Sequence, residues 1–142
     1  MTTATSIGIA VTFIWLGMVI AISFIEAPLK FQAPGITIPL GLGIGRLVFR
    51  ALNGVETVWA ALLVAAAVLG SWPSTASYIA LGVAVASLTC QLVAVRPALT
   101  RRSDAVLAGY EGRRSNAHFV YVGFEVLKVA ALAWMGVALL TG

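Results

Sequence analysis

The stretch IGIAVTFIWLGMVIAISFI, residues 7 to 25, decides the fold because it contains no ionisable side chain over a length that can cross a membrane. A helix rises about 1.5 Å per residue, so roughly 20 apolar residues span the hydrocarbon core of a bilayer. The rest of the chain has the same character, since 61% of its 142 residues are hydrophobic and only 10% are charged. This composition predicts an integral membrane protein.

Three further apolar stretches follow, so the sequence predicts a single all-α membrane domain over residues 1–142, built as a bundle of four transmembrane helices. The predicted spans are about 7–26, 41–69, 77–95 and 116–140. Prolines in the first loop predict an interfacial or partly re-entrant connection there, and a short helix is predicted from about 97 to 108 in the third loop.

Two single residues in and between these spans carry expectations of their own. Cys90 stands alone in an apolar span and is expected to be a small packed core residue. Trp72, in the short second loop, is expected to lie at the membrane interface.

Positive charge marks two of the loops. Lys30, Arg46 and Arg50 lie in the first loop and the start of the second span, and five arginines lie in the third loop. The positive-inside rule therefore predicts that loops 27–45 and 96–115 are cytoplasmic and that both termini are outside. The net charge of +4 then indicates contact with anionic lipids at these cytoplasmic Arg and Lys residues, rather than a nucleic-acid partner.

Polar residues form a stripe along the fourth span. Arg114, His118, Tyr121, Glu125 and Lys128 are spaced by four, three, four and three residues. Positions three and four apart share one face of a helix, so these side chains face the same way.

The second span has a matching stripe, formed by Arg46, Arg50, Asn53 and Glu56. The rise per residue places Glu56 at a depth similar to that of Glu125. Charges inside a membrane face the bundle interior and pair, so Lys128 is predicted to lie between Glu56 and Glu125. One carboxylate is then in excess, and it is protonated, binds a cation, or pairs with an arginine. Secondary candidates for this site are Glu26, Lys30, Arg46, Arg50, Gln91 and Arg114.

The stripe has two interpretations. One is a site for a small ligand, an ion or a proton, with Asn53, Glu56, His118, Tyr121, Glu125 and Lys128 as the candidates. The other is a polar clamp that only fixes helix packing. No cofactor is predicted, and no spacing typical of a metal site occurs; a haem with one histidine ligand, or a metal at His118, remains an alternative.

The segments FIEAPLKFQAPGITIPLGLGIGRLVFRALNGVE (24–56) and HFVYVGFEVLKV (118–129) resemble a group of small, uncharacterised bacterial four-span proteins. These carry E-A-P-L-K-F and H-x-x-Y-x-x-x-E-x-x-K segments. The resemblance implies a multi-pass protein of the bacterial inner (plasma) membrane and no established activity. In size and number of spans the chain is also similar to small anthrone-oxygenase-like membrane proteins, although no catalytic motif of theirs is matched.

Three functions follow as hypotheses. The first is a binding protein for a small ligand, ion or proton in a transport or accessory role, expected to form a homo-oligomer. The second is a membrane oxidoreductase for a quinone-like or polyketide-like substrate, with His118 as base and Tyr121, Glu56 and Glu125 orienting it. The third is a structural subunit of a larger membrane complex. Whether the protein is an enzyme is left open.

Overall fold

The computed structural model of this protein describes residues 1–108 and 116–142. Within these ranges it describes all side chains except those of residues 95, 98, 102, 103, 106, 107 and 116–118. The described chain is all-helical, and four of its helices are long and apolar enough to cross a membrane, which confirms the predicted fold class at that level.

The helices follow the predicted spans and extend beyond them. They are α1 (Thr3–Val19), α2 (Ala27–Leu29), α3 (Ile38–Leu69), α4 (Thr75–Cys90), α5 (Arg96–Leu107) and α6 (Asn116–Thr141). Side-chain oxygens of Thr2, Thr37 and Ser74 accept hydrogen bonds from the first turns of α1, α3 and α4. These N-caps explain where the helices begin, because the first N–H groups of a helix have no partner within it.

Two segments of π-helix join elements that the sequence analysis separates. Ile20–Glu26 connects α1 to α2, so that one helical stretch runs from Thr3 to Gln32 through Pro28. Gln91–Val95 likewise connects α4 to α5, and the short helix predicted in the third loop therefore continues the third span. The predicted interfacial first loop shortens to the few residues between Gln32 and Ile38.

The core lies where α1 and α6 meet. α6 packs against both α1 and α4, and α1 packs against α3, whereas α3 and α4 touch only sparsely. Fully buried side chains fill the centre, among them Trp15, Leu63, Leu132 and Met135. The sparse contact between α3 and α4 leaves one side of the bundle open.

Two single-residue expectations are wrong. Cys90 is exposed on the outside of α4, because Ser87, Leu88 and Gln91 occupy the positions of that turn that face the bundle. Trp72 is buried: its ring packs against Tyr78 and its Nε1 donates a hydrogen bond to the carbonyl of Ala4 at 3.3 Å. The indole of Trp72 thus packs against the end of the bundle and does not point outward.

The core makes a direct prediction about stability. Leu132 is 0% exposed in the centre of the bundle, whereas Leu127 on the same helix is 46% exposed. Leu132→Ala should destabilise the protein by about 2–5 kcal/mol, because it removes buried methyl groups and leaves a cavity. Leu127→Ala should have a much smaller effect. Thermal unfolding of the two variants in one detergent checks this, and equal losses would contradict the core described above.

Candidate functional site

Lys128 on α6 lies between two carboxylates in the middle of the bundle. Its Nζ is 2.5 Å from Glu56 Oε2 on α3 and 2.5 Å from Glu125 Oε1 one turn earlier on α6. All three side chains are buried, with at most 2% exposure. The predicted placement of Lys128 between Glu56 and Glu125, and the matched depth of the two carboxylates, are therefore both present in the structure.

The two π-helical segments supply further partners to these charges. Gln91 accepts a hydrogen bond from Lys128 Nζ at 2.8 Å through Oε1 and donates to Glu125 Oε1 at 2.8 Å through Nε2. Ser23 donates a hydrogen bond from its hydroxyl to Glu125 Oε2. A π segment adds a residue to a helical turn and is frequent at functional sites. Here each such segment brings one polar side chain to the buried charges.

Trp15 is a site residue that the sequence analysis missed. Its Nε1 donates a hydrogen bond to Glu56 Oε2 at 2.8 Å, and the side chain is 0% exposed. The available signal was the buried face of α1, where Thr5, Gly8, Thr12, Trp15 and Val19 are spaced by three and four residues. We call Trp15, Ser23, Glu56, Gln91, Glu125 and Lys128 the charge cluster.

Asn53 lies one turn before Glu56 on the same face of α3. Its Oδ1 accepts a hydrogen bond from the hydroxyl of Tyr121 at 3.3 Å, and its side chain is 4% exposed. Among the described side chains, however, its Nδ2 has no hydrogen-bond partner, and neither does Glu56 Oε1. A buried donor and a buried acceptor, both unpaired, therefore lie one turn apart, where buried polar groups are normally satisfied.

A groove runs along the open side of the bundle, between α3 and the stretch from Leu92 to Thr100. Its volume is about 750 Å³, and it leads from the surface to Asn53. Arg46, Arg50 and Arg96 line the groove together with the apolar Leu47 and Leu92. Pockets of about 300–1,000 Å³ accommodate small organic ligands.

The three arginines of the groove have different partners. Arg46 pairs with the exposed Asp104 at 2.7 Å, and Arg96 donates a hydrogen bond to the carbonyl of Arg46 at 3.3 Å. Arg50 is exposed and pairs with no carboxylate of the described residues. Burial, together with the neighbouring Arg46 and Arg50 guanidinium groups, lowers the pKa of Arg96 below its usual range. Three arginines therefore line the groove, and among the described carboxylates only Asp104 pairs with one of them.

The remaining candidates lie apart or outside the described residues. Glu26 and Lys30 pair with each other at 3.7 Å, and no contact that the structure describes joins them to the charge cluster. Arg114 and the side chain of His118 lie outside the described residues. No described group of three His, Cys, Asp or Glu side chains is arranged to hold a metal ion, a finding that does not bear on His118.

Comparisons with known proteins identified no relative of this chain. No protein-family model, no curated protein and no solved structure matches the chain. The resemblance of residues 24–56 and 118–129 to small bacterial four-span proteins therefore stays a prediction.

The ion pairs of Lys128 can be tested by substitution. Lys128→Met leaves two carboxylates buried without a countercharge, and removing one partner of a buried ion pair costs about 3–5 kcal/mol. We expect a large fall in thermal stability in detergent. Arg101→Met is the matched control, because Arg101 is exposed on α5 and its loss should change stability little. A Lys128→Met protein as stable as Arg101→Met would show that the ion pairs contribute nothing to the fold.

Proposed function

We propose that this protein binds a small ligand in the groove, in a transport or accessory role, and that the charge cluster behind the groove holds one proton. The observation that carries the proposal is the pair of unpaired buried atoms on α3, Asn53 Nδ2 and Glu56 Oε1. A ligand that accepts hydrogen bonds from Asn53 Nδ2 and from a protonated Glu56 Oε1 would satisfy both.

The charges of the cluster support the bound proton. Two carboxylates and one ammonium leave one negative charge in excess, and an uncompensated charge inside a membrane bundle is costly. The described arginines of the groove do not pair with either carboxylate, so we assign the neutralising role to a proton or a cation. A proton is the simpler choice, because the cluster is packed by its own side chains.

The hydrogen bonds of the cluster favour Glu56 as the proton's position. Both oxygens of Glu125 have partners, Oε1 in Lys128 and Gln91 and Oε2 in Ser23. Glu56 uses only Oε2, which receives Lys128 and Trp15. A proton on Glu56 Oε1 would turn the unpaired acceptor into a donor beside Asn53. Ligand binding and protonation of Glu56 would then be linked, because protonation decides whether Glu56 Oε1 donates or accepts a hydrogen bond to the ligand.

The oxidoreductase and structural hypotheses make different demands. The oxidoreductase hypothesis depends on His118, whose side chain is outside the described residues, so it stays a prediction. The structural hypothesis requires only that the charge cluster clamps the helices, and it differs from our proposal in what Glu56→Gln should do.

Glu56→Gln tests the bound proton. Infrared spectroscopy of the protein in liposomes should reveal the carbonyl band of a protonated carboxyl group at neutral pH, and this band should be absent from Glu56→Gln. Thermal stability should stay close to that of the wild type, because the variant cluster is neutral and the amide oxygen can still accept from Trp15 and Lys128.

Asp104→Asn is the matched control for that experiment, since Asp104 is an exposed carboxylate outside the cluster. It should keep the carbonyl band. If wild-type protein lacks the band, or if Glu56→Gln keeps it, the proton is not held at Glu56. A Glu56→Gln protein that is strongly destabilised and whose band matches the wild type would favour the structural clamp.

We also propose that the protein lies in the bacterial inner membrane with residues 27–45 and 96–115 in the cytoplasm, as their positive charge indicates. Single cysteines in a Cys90→Ser background test this orientation. Ser71→Cys, in the second loop, should react with a membrane-impermeant maleimide in intact cells after outer-membrane permeabilisation. Arg101→Cys should react only after lysis, and the reverse pattern would invert the orientation.

A further inference from the structure

The groove has three properties that a single ligand class can satisfy together: a cationic entrance, an apolar wall and a side that is open at the outer surface of α3. This inference rests on the proposed function, because it names the class of ligand for the same groove. Each property comes from described side chains of α3, of α5, or of the π segment before α5.

The entrance is cationic. Arg46, Arg50 and Arg96 all line the groove, and Asp104 is the one described carboxylate that pairs with any of them. With all four groups ionised, the entrance has a net charge of about +2. Planar guanidinium groups bind phosphate and carboxylate oxygens through paired hydrogen bonds. An anionic group is therefore the charge that fits this entrance.

The groove also opens sideways. The lining residues Leu47, Gly54 and Thr57 are exposed on the outer surface of α3. Leu47, which is 70% exposed, and Leu92 give the wall an apolar surface. An apolar wall makes no favourable contact with a soluble anion, whereas the acyl chain of a lipid would lie along it.

The inner end of the groove provides a specific polar contact. Asn53 lines the groove, is 4% exposed, and has an Nδ2 donor without a partner among the described residues. A headgroup oxygen that reaches past the arginines would meet this donor. Lipid that merely surrounds the bundle would have no such contact, which distinguishes a built site from general attraction of anionic lipid to basic loops.

We propose that the groove binds an amphiphile with an anionic phosphate headgroup, that is, an anionic phospholipid that enters between α3 and the stretch from Leu92 to Thr100. Its phosphate would lie among Arg46, Arg50 and Arg96, a polar part of the headgroup would reach Asn53, and a chain would follow Leu47 and Leu92 toward the membrane.

Native mass spectrometry of the detergent-purified protein tests this inference. The probes are phosphatidylglycerol, phosphatidylcholine of the same chain length, inorganic phosphate and pyrophosphate. We expect one phosphatidylglycerol to be retained at least about tenfold more strongly than phosphatidylcholine. The double variant Arg50→Gln/Arg96→Gln should lose this preference, whereas Arg101→Gln, which removes a charge outside the groove, should keep it. Circular dichroism ensures that each variant is folded.

Each other outcome overturns the inference. Equal retention of the two lipids, or an equal loss in Arg101→Gln and the double variant, would mean that lipid binds only through general attraction. Binding of phosphate or pyrophosphate without phosphatidylglycerol would make the groove a site for a soluble anion. Binding of none of the probes would remove the anionic ligand altogether. The carbonyl band of Glu56 is measured separately, so these failures remain distinguishable from failure of the proposed proton.

Discussion

The burial of Lys128 between Glu56 and Glu125 constrains the rest of the structure. A charge buried in an apolar bundle is tolerated only with close partners, so Glu56 on α3 and Lys128 on α6 must lie at one level and face each other. Trp15 on α1 also donates a hydrogen bond to Glu56, and Gln91 after α4 accepts one from Lys128. The four spans therefore contact a common polar centre within an otherwise apolar core.

The buried charges need hydrogen-bond partners, and this need shapes the helices around them. Ser23 and Gln91 belong to π-helical segments, and each directs a polar side chain toward Glu125. On α3, however, Asn53 and Glu56 each keep one buried polar atom that no described side chain or backbone group hydrogen-bonds. Both oxygens of Glu125 on α6 have partners, whereas Asn53 Nδ2 and Glu56 Oε1 on α3 have none among the described residues. A clamp would leave no such atoms, so this difference favours a binding site.

Much of this arrangement could be predicted from residue spacing. The stripes on the second and fourth spans and the equal depth of Glu56 and Glu125 follow from helical geometry, and so does the position of Lys128 between them. Trp15 could not be assigned in this way, because an apolar span without charged residues does not reveal which face meets α3. Cys90 and Trp72 were misplaced for a related reason: whether a residue faces the bundle depends on which helices are neighbours, and α4 has a close neighbour in α6 but not in α3.

The central claim is that the open side of the bundle holds a ligand next to Asn53 instead of closing on itself. A crystal structure grown from a lipid mesophase that contains phosphatidylglycerol tests it most directly. We expect continuous non-protein density that runs from the three arginines of the groove to Asn53 Nδ2, with Lys128 still between its two carboxylates. A groove closed by direct packing of α3 against the stretch from Leu92 to Thr100, with Asn53 Nδ2 bonded to protein, would contradict it.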